Sequence, residues 1–362
     1  MTTMSTPLLT LNRLSLGDLA AQKGPCTTFL IPGATGGRES GSRAATLRGM
    51  LRSSPAIHQG TEFIEPIEDF VNHLEDEDGG PGIALFRSPT FFAACTAPNL
   101  EVNAVIRGKY FALAPLAAAV LAPREFYILA LHRKNLHLFH YADGTCKAVP
   151  LPTDVPADMR TALGFDTPDH LLEGRSGGNR GTGAATAVQF GTSSDKESNL
   201  EYLHNYFRIV DRGLMGLVGQ TPILLAGVHE DVAAYRRAAP KAMLLDSAIG
   251  GNIDFLTPAE IGVMAAQAAL THYRRMGSSV LAKQREMRHR ERALSEVPAI
   301  LEAAEAGRVH QLCAVDTFEP DTSGEDPVNE AIVATLRGEG EVYMLPAPLM
   351  MRGQPLAAIL RY

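Results

Sequence analysis

The feature that most constrains this chain is a stretch rich in glycine, serine and threonine, GRSGGNRGTGAATAVQFGTSSDKES, at residues 174–198. It has few large apolar side chains and no helical periodicity, so it cannot contribute to a packed core. We expect a mobile loop over these residues. The hydrophobic cores must therefore come from the sequence on either side of it.

The rest of the chain is long and apolar enough for several cores. Its 362 residues, 45% hydrophobic and 20% charged, exceed what one core usually serves. No segment has the length and apolarity of a membrane span, and the N-terminus lacks the pattern of a signal peptide. We therefore expect a cytoplasmic protein without a membrane partner. The net charge of −7 means that any nucleic-acid contact must come from local basic patches.

The spacing of cysteine and histidine predicts neither a disulfide framework nor a metal site. The four cysteines are Cys26, Cys95, Cys146 and Cys313. They form no CxxC pair, so we expect free and mostly buried thiols. We interpret His132, His137 and His140 as surface or interstrand residues of a hairpin, since no cysteine or carboxylate accompanies them in a pattern typical of a metal site. The sequence predicts no cofactor.

Helix and strand signals alternate along the ordered parts and predict a mixed α/β fold with three α/β domains, at residues 1–123, 124–253 and 254–362. The first domain contains a strand within CTTFLIPG, a helix at RAATLRGMLRS, and two strands around a Ser88-Pro89 turn. A segment punctuated by proline and ending at Pro123 marks the first boundary. A linker at residues 252–256 spans the boundary between the second and third domains.

The second domain begins with a hairpin at residues 125–144, where polar HRKN makes the turn. A helix at residues 199–219 follows the Gly-rich segment, and TPILLAGV reads as a buried strand. The apolar stripe predicted for the helix consists of Leu200, Leu203, Phe207, Val210, Leu214 and Leu217.

The third domain opens with an explicit helix start. Thr257 is the expected N-cap, Pro258 the first helical residue, and Glu260 completes a capping box. Helices and strands then alternate to the C-terminus, and Gly307 and Gly338 lie where helix C-caps belong.

Two features of the loop could carry chemistry. GRSGG formally fits the nucleophile elbow of serine hydrolases with Ser176 as nucleophile, but the strand and helix that this elbow requires are missing on either side. Arg175 and Arg180 flank glycines whose backbone can approach another backbone closely, and the arginines can contact phosphates. An ordinary flexible linker has the same composition. Dinucleotide and phosphate-loop fingerprints are both incomplete.

A second basic feature follows the helix that begins at Thr257. Its members are Lys283, Arg285, Arg288, Arg290 and Arg292. At helical spacing, Arg285, Arg288 and Arg292 share one face, which could bind RNA. Cations at a helix C-terminus also stabilise the helix dipole, so a solvated helix end explains the same residues.

The order of these units resembles the bacterial branch of the archaeo-eukaryotic release factor and Pelota family. The hairpin FYILALHRKNLHLFHY, the Gly-rich loop, the helix HNYFRIVDRG and the strand PILLAG resemble the middle domain of that family. LEAAEAGRVHQLCAV and the closing GQPLAAILRY resemble its C-terminal domain. The resemblance covers residues 124–362, and residues 1–123 resemble the shorter N-terminal domain of bacterial members.

The resemblance implies a role for the Gly-rich loop. In the release factors this loop carries Gly-Gly-Gln, which enters the peptidyl-transferase centre of the ribosome. Here the matching residues are Gly177, Gly178 and Asn179, so the glutamine is replaced by a side chain one methylene shorter. A positioning group that is about 1 Å short can cost orders of magnitude in rate. Pelota-like members also lack a working glutamine.

The resemblance therefore implies a ribosome-binding factor in rescue, recycling or dormancy. Its implied partners are the ribosome, ribosomal RNA and a translational GTPase, and it assigns no catalytic residue. A hydrolase remains the alternative, acting on peptidyl-tRNA through residues 177–179 or on another ester through Ser176.

Overall fold

A computed structural model provides the structure, and it describes residues 9–10, 13–33, 42–53, 61–74, 82–97, 100, 102–142, 144–163, 193–287, 292–317, 326–351 and 353–362. The chain divides into two compact units. Unit 1 comprises Met1–Pro123 together with Leu270–Tyr362, and unit 2 comprises Arg124–Ala269. Strands and helices mix in both units, so the predicted α/β class is confirmed. The division into three domains remains a prediction, because one compact unit can contain two domains.

The N-terminal part of unit 1 is a sheet with the strand order β1-β4-β3-β2-β5. Its elements are β1 (Leu9–Thr10), α1 (Arg13–Ala21), β2 (Cys26–Ile31), α2 (Arg43–Ser53), α3 (Thr61–His73), β3 (Gly82–Ser88), β4 (Phe91–Ala97), β5 (Ala104–Gly108) and α4 (Ala114–Leu121). Helices α1 and α4 pack on one face, and α2 and α3 on the other. The predicted strand β2, helix α2 and hairpin β3–β4 are confirmed.

Unit 2 is built on a sheet with the order β10-β9-β6-β7-β8. Its elements are β6 (Glu125–Leu131), β7 (His137–Ala142), β8 (Thr145–Val149), α5 (Met159–Leu163), α6 (Ser193–Val218), β9 (Ile223–Gly227), α7 (His229–Ala238), β10 (Leu244–Gly250) and the start of α8 (Pro258–Glu286). The strands β6, β9 and β10 are parallel, whereas β6, β7 and β8 are antiparallel. The predicted hairpin is confirmed, with Leu129 opposite Leu138.

Helix α6 corrects two predictions. It begins at Ser193, so residues 193–198 are helical and do not belong to the predicted loop. Extending an existing helix is inexpensive, and the lysine and glutamate in this stretch are good helix formers. The buried stripe also differs, since Leu200 and Leu217 are 56% and 39% exposed. The buried side chains are Leu203, Tyr206, Phe207, Val210, Leu214 and Val218.

Helix α8 starts as its sequence predicts. The backbone N–H of Thr257 donates to Glu260 Oε2 at 2.8 Å, and the N–H of Glu260 donates to Thr257 Oγ1 at 3.3 Å. The first of these bonds lowers the pKa of Glu260 below its ordinary value. Leu256, just before the cap, packs in the same core as Ile261. The capping box is thus completed by a hydrophobic staple.

The C-terminal part of unit 1 is a sheet with the order β11-β14-β12-β13. Its elements, after the end of α8, are β11 (Ala293–Leu294), α9 (Val297–Glu305), β12 (Val309–Val315), α10 (Pro327–Arg337), β13 (Glu341–Leu345) and β14 (Leu356–Leu360). β12 and β13 are parallel, and β14 is antiparallel to both β11 and β12. The predicted alternation of helices and strands is confirmed here.

One buried side chain joins the two sequence segments of unit 1. Asn329 on α10 is 6% exposed. Its Oδ1 accepts hydrogen bonds from the N–H groups of Leu113 and Ala114 at 2.7 and 3.1 Å, and its Nδ2 donates to Phe111 O at 2.9 Å. These bonds satisfy main-chain groups at the start of α4 that burial would otherwise leave unpaired.

All four cysteines are free, and Cys26, Cys95 and Cys313 are buried. Burial raises the pKa of the Cys26 thiol to about 11 and that of Cys313 to about 12. Both thiols therefore stay protonated and unreactive near neutral pH. The prediction of free, mostly buried thiols is confirmed.

Within the described part of the chain, no helix is long and apolar enough to cross a membrane.

The two predicted helix C-caps differ in conformation. Gly307 follows α9 with φ of 67°, in the left-handed region that favours glycine. Gly338 ends α10 with φ of −80°, and the left-handed position falls on the next residue, Glu339, with φ of 57°. A Cβ at this φ costs free energy.

We expect opposite effects from exchanging glycine and side chain at these two positions. Gly307→Ala should lower the free energy of unfolding by about 1 kcal/mol, because nothing lies within 4 Å of the added Cβ and only the backbone conformation is penalised. Glu339→Gly should raise the free energy of unfolding by about 0.5 kcal/mol. Glycine removes the strain of a Cβ at positive φ, and its flexibility in the unfolded chain partly offsets this gain. Urea unfolding at unchanged slope measures both. Destabilisation by Glu339→Gly would contradict the left-handed conformation assigned to Glu339.

Candidate functional site

The site that the sequence predicts lies in the segment between α5 and α6, and the described part of unit 2 shows how the residues that lead into that segment are held. Arg133, in the turn after β6, is central to this. Its Nε and Nη2 donate to Asp231 Oδ1 at 3.0 and 2.9 Å. Its main-chain oxygen accepts from the N–H of Met159 at 3.0 Å. One residue thus connects the hairpin turn, the first turn of α7 and the start of α5.

The buried carboxylate of Asp231 makes this connection specific. Asp231 is 4% exposed, and a buried carboxylate requires a charged or hydrogen-bonding partner. It also lies in the first turn of α7, where the helix dipole favours a negative charge. Glu230 is 3.7 Å from the same guanidinium but 84% exposed, so it contributes little.

Helix α5 is short, and its start is fixed by a side-chain cap. The N–H of Thr161 donates to Asp158 Oδ1 at 2.8 Å, and this bond holds the pKa of Asp158 below its ordinary value. The neighbouring residues Val155 and Met159 are buried among side chains of α6 and α7. A helix of this length is unstable alone, so these tertiary contacts determine its position.

Helix α6 packs directly against the segment that leads into α5. The Tyr206 hydroxyl donates to Pro156 O at 3.5 Å, and burial raises the pKa of this phenol, which therefore stays neutral. A Cβ on Gly213 would lie 2.6 Å from Val155 Cγ2 and 3.3 Å from Asp154 O. The glycine permits this close approach. The segment that leads into residues 164–192 is therefore packed against the C-terminal half of α6.

The predicted loop residues, Arg175, Gly177, Gly178, Asn179 and Arg180, lie outside the described residues, as does Ser176. The prediction that the loop is mobile falls on the same undescribed stretch, apart from residues 193–198. The structure therefore describes the two ends of the loop.

The structure places the described members of the basic run at residues 283–292 in different elements. Lys283 and Arg285 are exposed near the end of α8, and Arg285 Nη2 donates to Leu349 O at 3.2 Å. The helix ends at Glu286, so Arg292 does not share a helix face with Arg285, and that prediction is wrong. Arg292 instead directly precedes β11. Arg288 and Arg290 lie outside the described residues.

The histidines of the hairpin have partners that fit surface and interstrand positions. His140 Nε2 lies 3.2 Å from Glu125 Oε1, and His137 Nε2 lies 2.7 Å from Asn135 Nδ2. No group of histidine, cysteine and carboxylate side chains that could hold a metal ion occurs within the described ranges.

Sequence reasoning missed Arg133 and Asp231. A signal was present for Arg133, which lies in the polar HRKN turn of the predicted hairpin. Nothing in the linear sequence indicates that these two residues meet.

Comparison with known proteins supports the resemblance. Residues 124–270 match the bacterial archaeo-eukaryotic release factor family 6. This match begins and ends within one residue of unit 2, Arg124–Ala269. The resemblance to release factors is therefore confirmed over these residues. No curated protein matches the chain.

Several solved structures are similar over almost the whole chain. The archaeal translation termination factor aRF1 is 14% identical, with 98% of this chain and 99% of that chain covered and a TM-score of 0.25. Pelota from Archaeoglobus fulgidus is 9% identical, with 98% and 94% covered and a TM-score of 0.37. S. cerevisiae Dom34, described as a translation termination-like factor that interacts with Hbs1, is 12% identical, with 98% and 94% covered and a TM-score of 0.36. TM-scores this low establish no common overall arrangement.

The glycines of α6 offer a matched test of the packing between α6 and the segment that leads into α5. Gly216→Ala should raise the free energy of unfolding by about 1 kcal/mol, because alanine favours a helix and nothing lies within 4 Å of the new Cβ. Gly213→Ala gains the same propensity but must displace Val155, at a cost of about 1–3 kcal/mol. Denaturant unfolding should therefore show Gly213→Ala less stable than Gly216→Ala by at least about 1 kcal/mol. Hydrogen exchange of α5 amides should accelerate only in Gly213→Ala, and equal effects would contradict the packing.

Proposed function

We propose that this protein is a ribosome-associated translation factor of the release factor and Pelota kind, acting in rescue, recycling or dormancy without efficient peptide release. One observation carries the proposal. The stretch that matches the release factor family, residues 124–270, coincides with a complete compact unit, Arg124–Ala269. Sequence similarity and compactness are independent criteria. Their agreement supports a whole release-factor-like module rather than a chance match to a few elements.

The Gly-rich loop is the part of this module that would enter the ribosome. Gly177 and Gly178 provide a backbone without Cβ atoms for close approach to RNA. Arg175 and Arg180 would contact phosphates on either side. Asn179 places its amide about 1 Å short of a glutamine amide, which disfavours hydrolysis of the peptidyl-tRNA ester. The loop then serves for docking.

Contacts outside the loop would come from the basic residues in the last turn of α8 and just after it. Lys283 and Arg285 are exposed there, and Arg288, Arg290 and Arg292 follow in the sequence. Salt-sensitive binding to ribosomal RNA is expected from such residues. A translational GTPase that delivers the protein to the ribosome completes the proposed set of partners.

Ribosome binding and peptide release, measured together on loop variants, test this function. We expect wild-type protein to pellet with ribosomes but to release no peptide from a loaded ribosome in a single turnover. Gly177→Ala and Gly178→Ala should weaken ribosome binding by roughly tenfold, because each adds a Cβ at a close approach or an unfavourable φ. Asn179→Ala should change binding much less. Gly216→Ala, a glycine exchange on the exposed side of α6, is the matched control and should bind as wild type does.

The alternative function gives a different pattern in the same experiment. If the loop is catalytic, wild-type protein releases peptide at a measurable rate, and Asn179→Ala abolishes release while binding persists. That result would make the protein a peptidyl-tRNA hydrolase and would overturn the proposed docking role.

A further inference from the structure

Three arginines that are far apart in the sequence meet at one edge of the C-terminal sheet. Strand β14 runs antiparallel to β11 and β12, so its end lies beside the starts of both. Arg292 directly precedes β11, Arg308 directly precedes β12, and Arg361 directly follows β14. We call these three residues the edge arginines.

Main-chain hydrogen bonds hold the edge arginines together. The N–H of Leu360 donates to Arg292 O at 2.9 Å, and the N–H of Arg361 donates to Arg308 O at 2.9 Å. These bonds continue the ladders of β14 by one residue on each side. The relative positions of the three Cα atoms are therefore fixed by the sheet itself rather than by flexible loops.

Two of the guanidinium groups are oriented by carbonyl oxygens. Arg292 Nη2 donates to Arg361 O at 2.6 Å and to Leu360 O at 3.4 Å. Arg361 donates through Nε to Val309 O at 3.3 Å and through Nη2 to Gly338 O. A guanidinium has five N–H groups, so each side chain keeps donors for a further acceptor. Carbonyl groups orient these cations without cancelling their charge.

Carboxylates neutralise the edge arginines only weakly. Arg308 Nη2 lies 3.9 Å from Glu302 Oε1, and Glu302 is 82% exposed, so this pair contributes little. In the part of the chain that the structure describes, neither Arg292 nor Arg361 forms an ion pair. Glu339, the residue after Gly338, is exposed as well. Among the described residues, the edge therefore keeps a positive charge in a chain with net charge −7.

We infer that the edge arginines form a binding site for the phosphodiester backbone of RNA. Guanidinium forks match phosphate oxygens in geometry as well as charge, and groups already held in place lose less entropy on binding. Anionic membrane surfaces are typically recognised by clusters of about four to eight flexible cations, whereas this site has three arginines, two of which are already oriented by carbonyl oxygens. The inference rests on the proposed function, since the ribosome supplies the RNA.

Salt-dependent binding of the full chain to a 20-nucleotide poly(U) RNA, followed by fluorescence polarisation, tests the site. Arg308→Gln removes the edge arginine whose side chain makes no described bond to the main chain. It should reduce the slope of log affinity against log salt by about 0.7 and weaken binding about fivefold near 0.1 M salt. Arg292→Gln should have an equal or larger effect. Arg52→Gln, at an exposed arginine near the end of α2, is the control and should bind as wild type does.

The outcomes separate this inference from the proposed function. An unchanged salt slope in Arg308→Gln, with wild-type thermal stability, would overturn the RNA site even if ribosome pelleting persists. Wild-type protein that binds phosphatidylserine vesicles but not poly(U) would overturn it in favour of a membrane surface. Poly(U) binding that depends on Arg308, together with no pelleting with ribosomes, would support the site and refute the proposed function.

Discussion

The ion pair between Arg133 and the buried carboxylate of Asp231 determines how unit 2 places the segment that leads into residues 164–192. Asp231 has almost no contact with water, and leaving its carboxylate without its charged partner would cost roughly 2 kcal/mol. The same arginine accepts the N–H of Met159 through its main-chain oxygen. The hairpin turn, α7 and α5 are therefore placed together. Helix α6 then packs on this assembly at Gly213, so the segment that leads into residues 164–192 is held between α6 and α7.

Local signals in the sequence predicted much of the fold, and contacts across the chain explain what they missed. The capping box at Thr257 and Glu260 is a local interaction, and it is present as expected. The predicted apolar stripe of α6 was wrong at Leu200 and Leu217, which are exposed. Burial depends on where neighbouring elements pack and not on apolar spacing alone. Likewise, the bonds of Asn329 to Phe111, Leu113 and Ala114 span more than two hundred residues, and no periodicity encodes them.

The candidate site likewise combines features that the sequence predicted with contacts that it did not. Composition predicts the Gly-rich loop, and the basic run from Lys283 to Arg292 stands out in the sequence. However, the run does not act as one helix face, because α8 ends at Glu286. Antiparallel pairing of β14 brings Arg292 to Arg308 and Arg361 instead. The three arginines are far apart in the sequence and are brought together only by the pairing of the strands. The sequence alone therefore does not reveal this cluster. A protein with an acidic overall charge can in this way keep small, fixed basic surfaces for RNA.

The proposed function depends on the release-factor-like module occupying a tRNA-like position on the ribosome. Competition with tRNA tests this most directly. Binding of the wild-type chain should be measured on ribosomes whose aminoacyl-tRNA site is either empty or filled with tRNA. Mutual exclusion predicts that the apparent Kd is multiplied by one plus the ratio of the free tRNA concentration to the Kd of tRNA for that site. Equal affinity for empty and filled ribosomes would contradict a tRNA-like position and, with it, the proposed function.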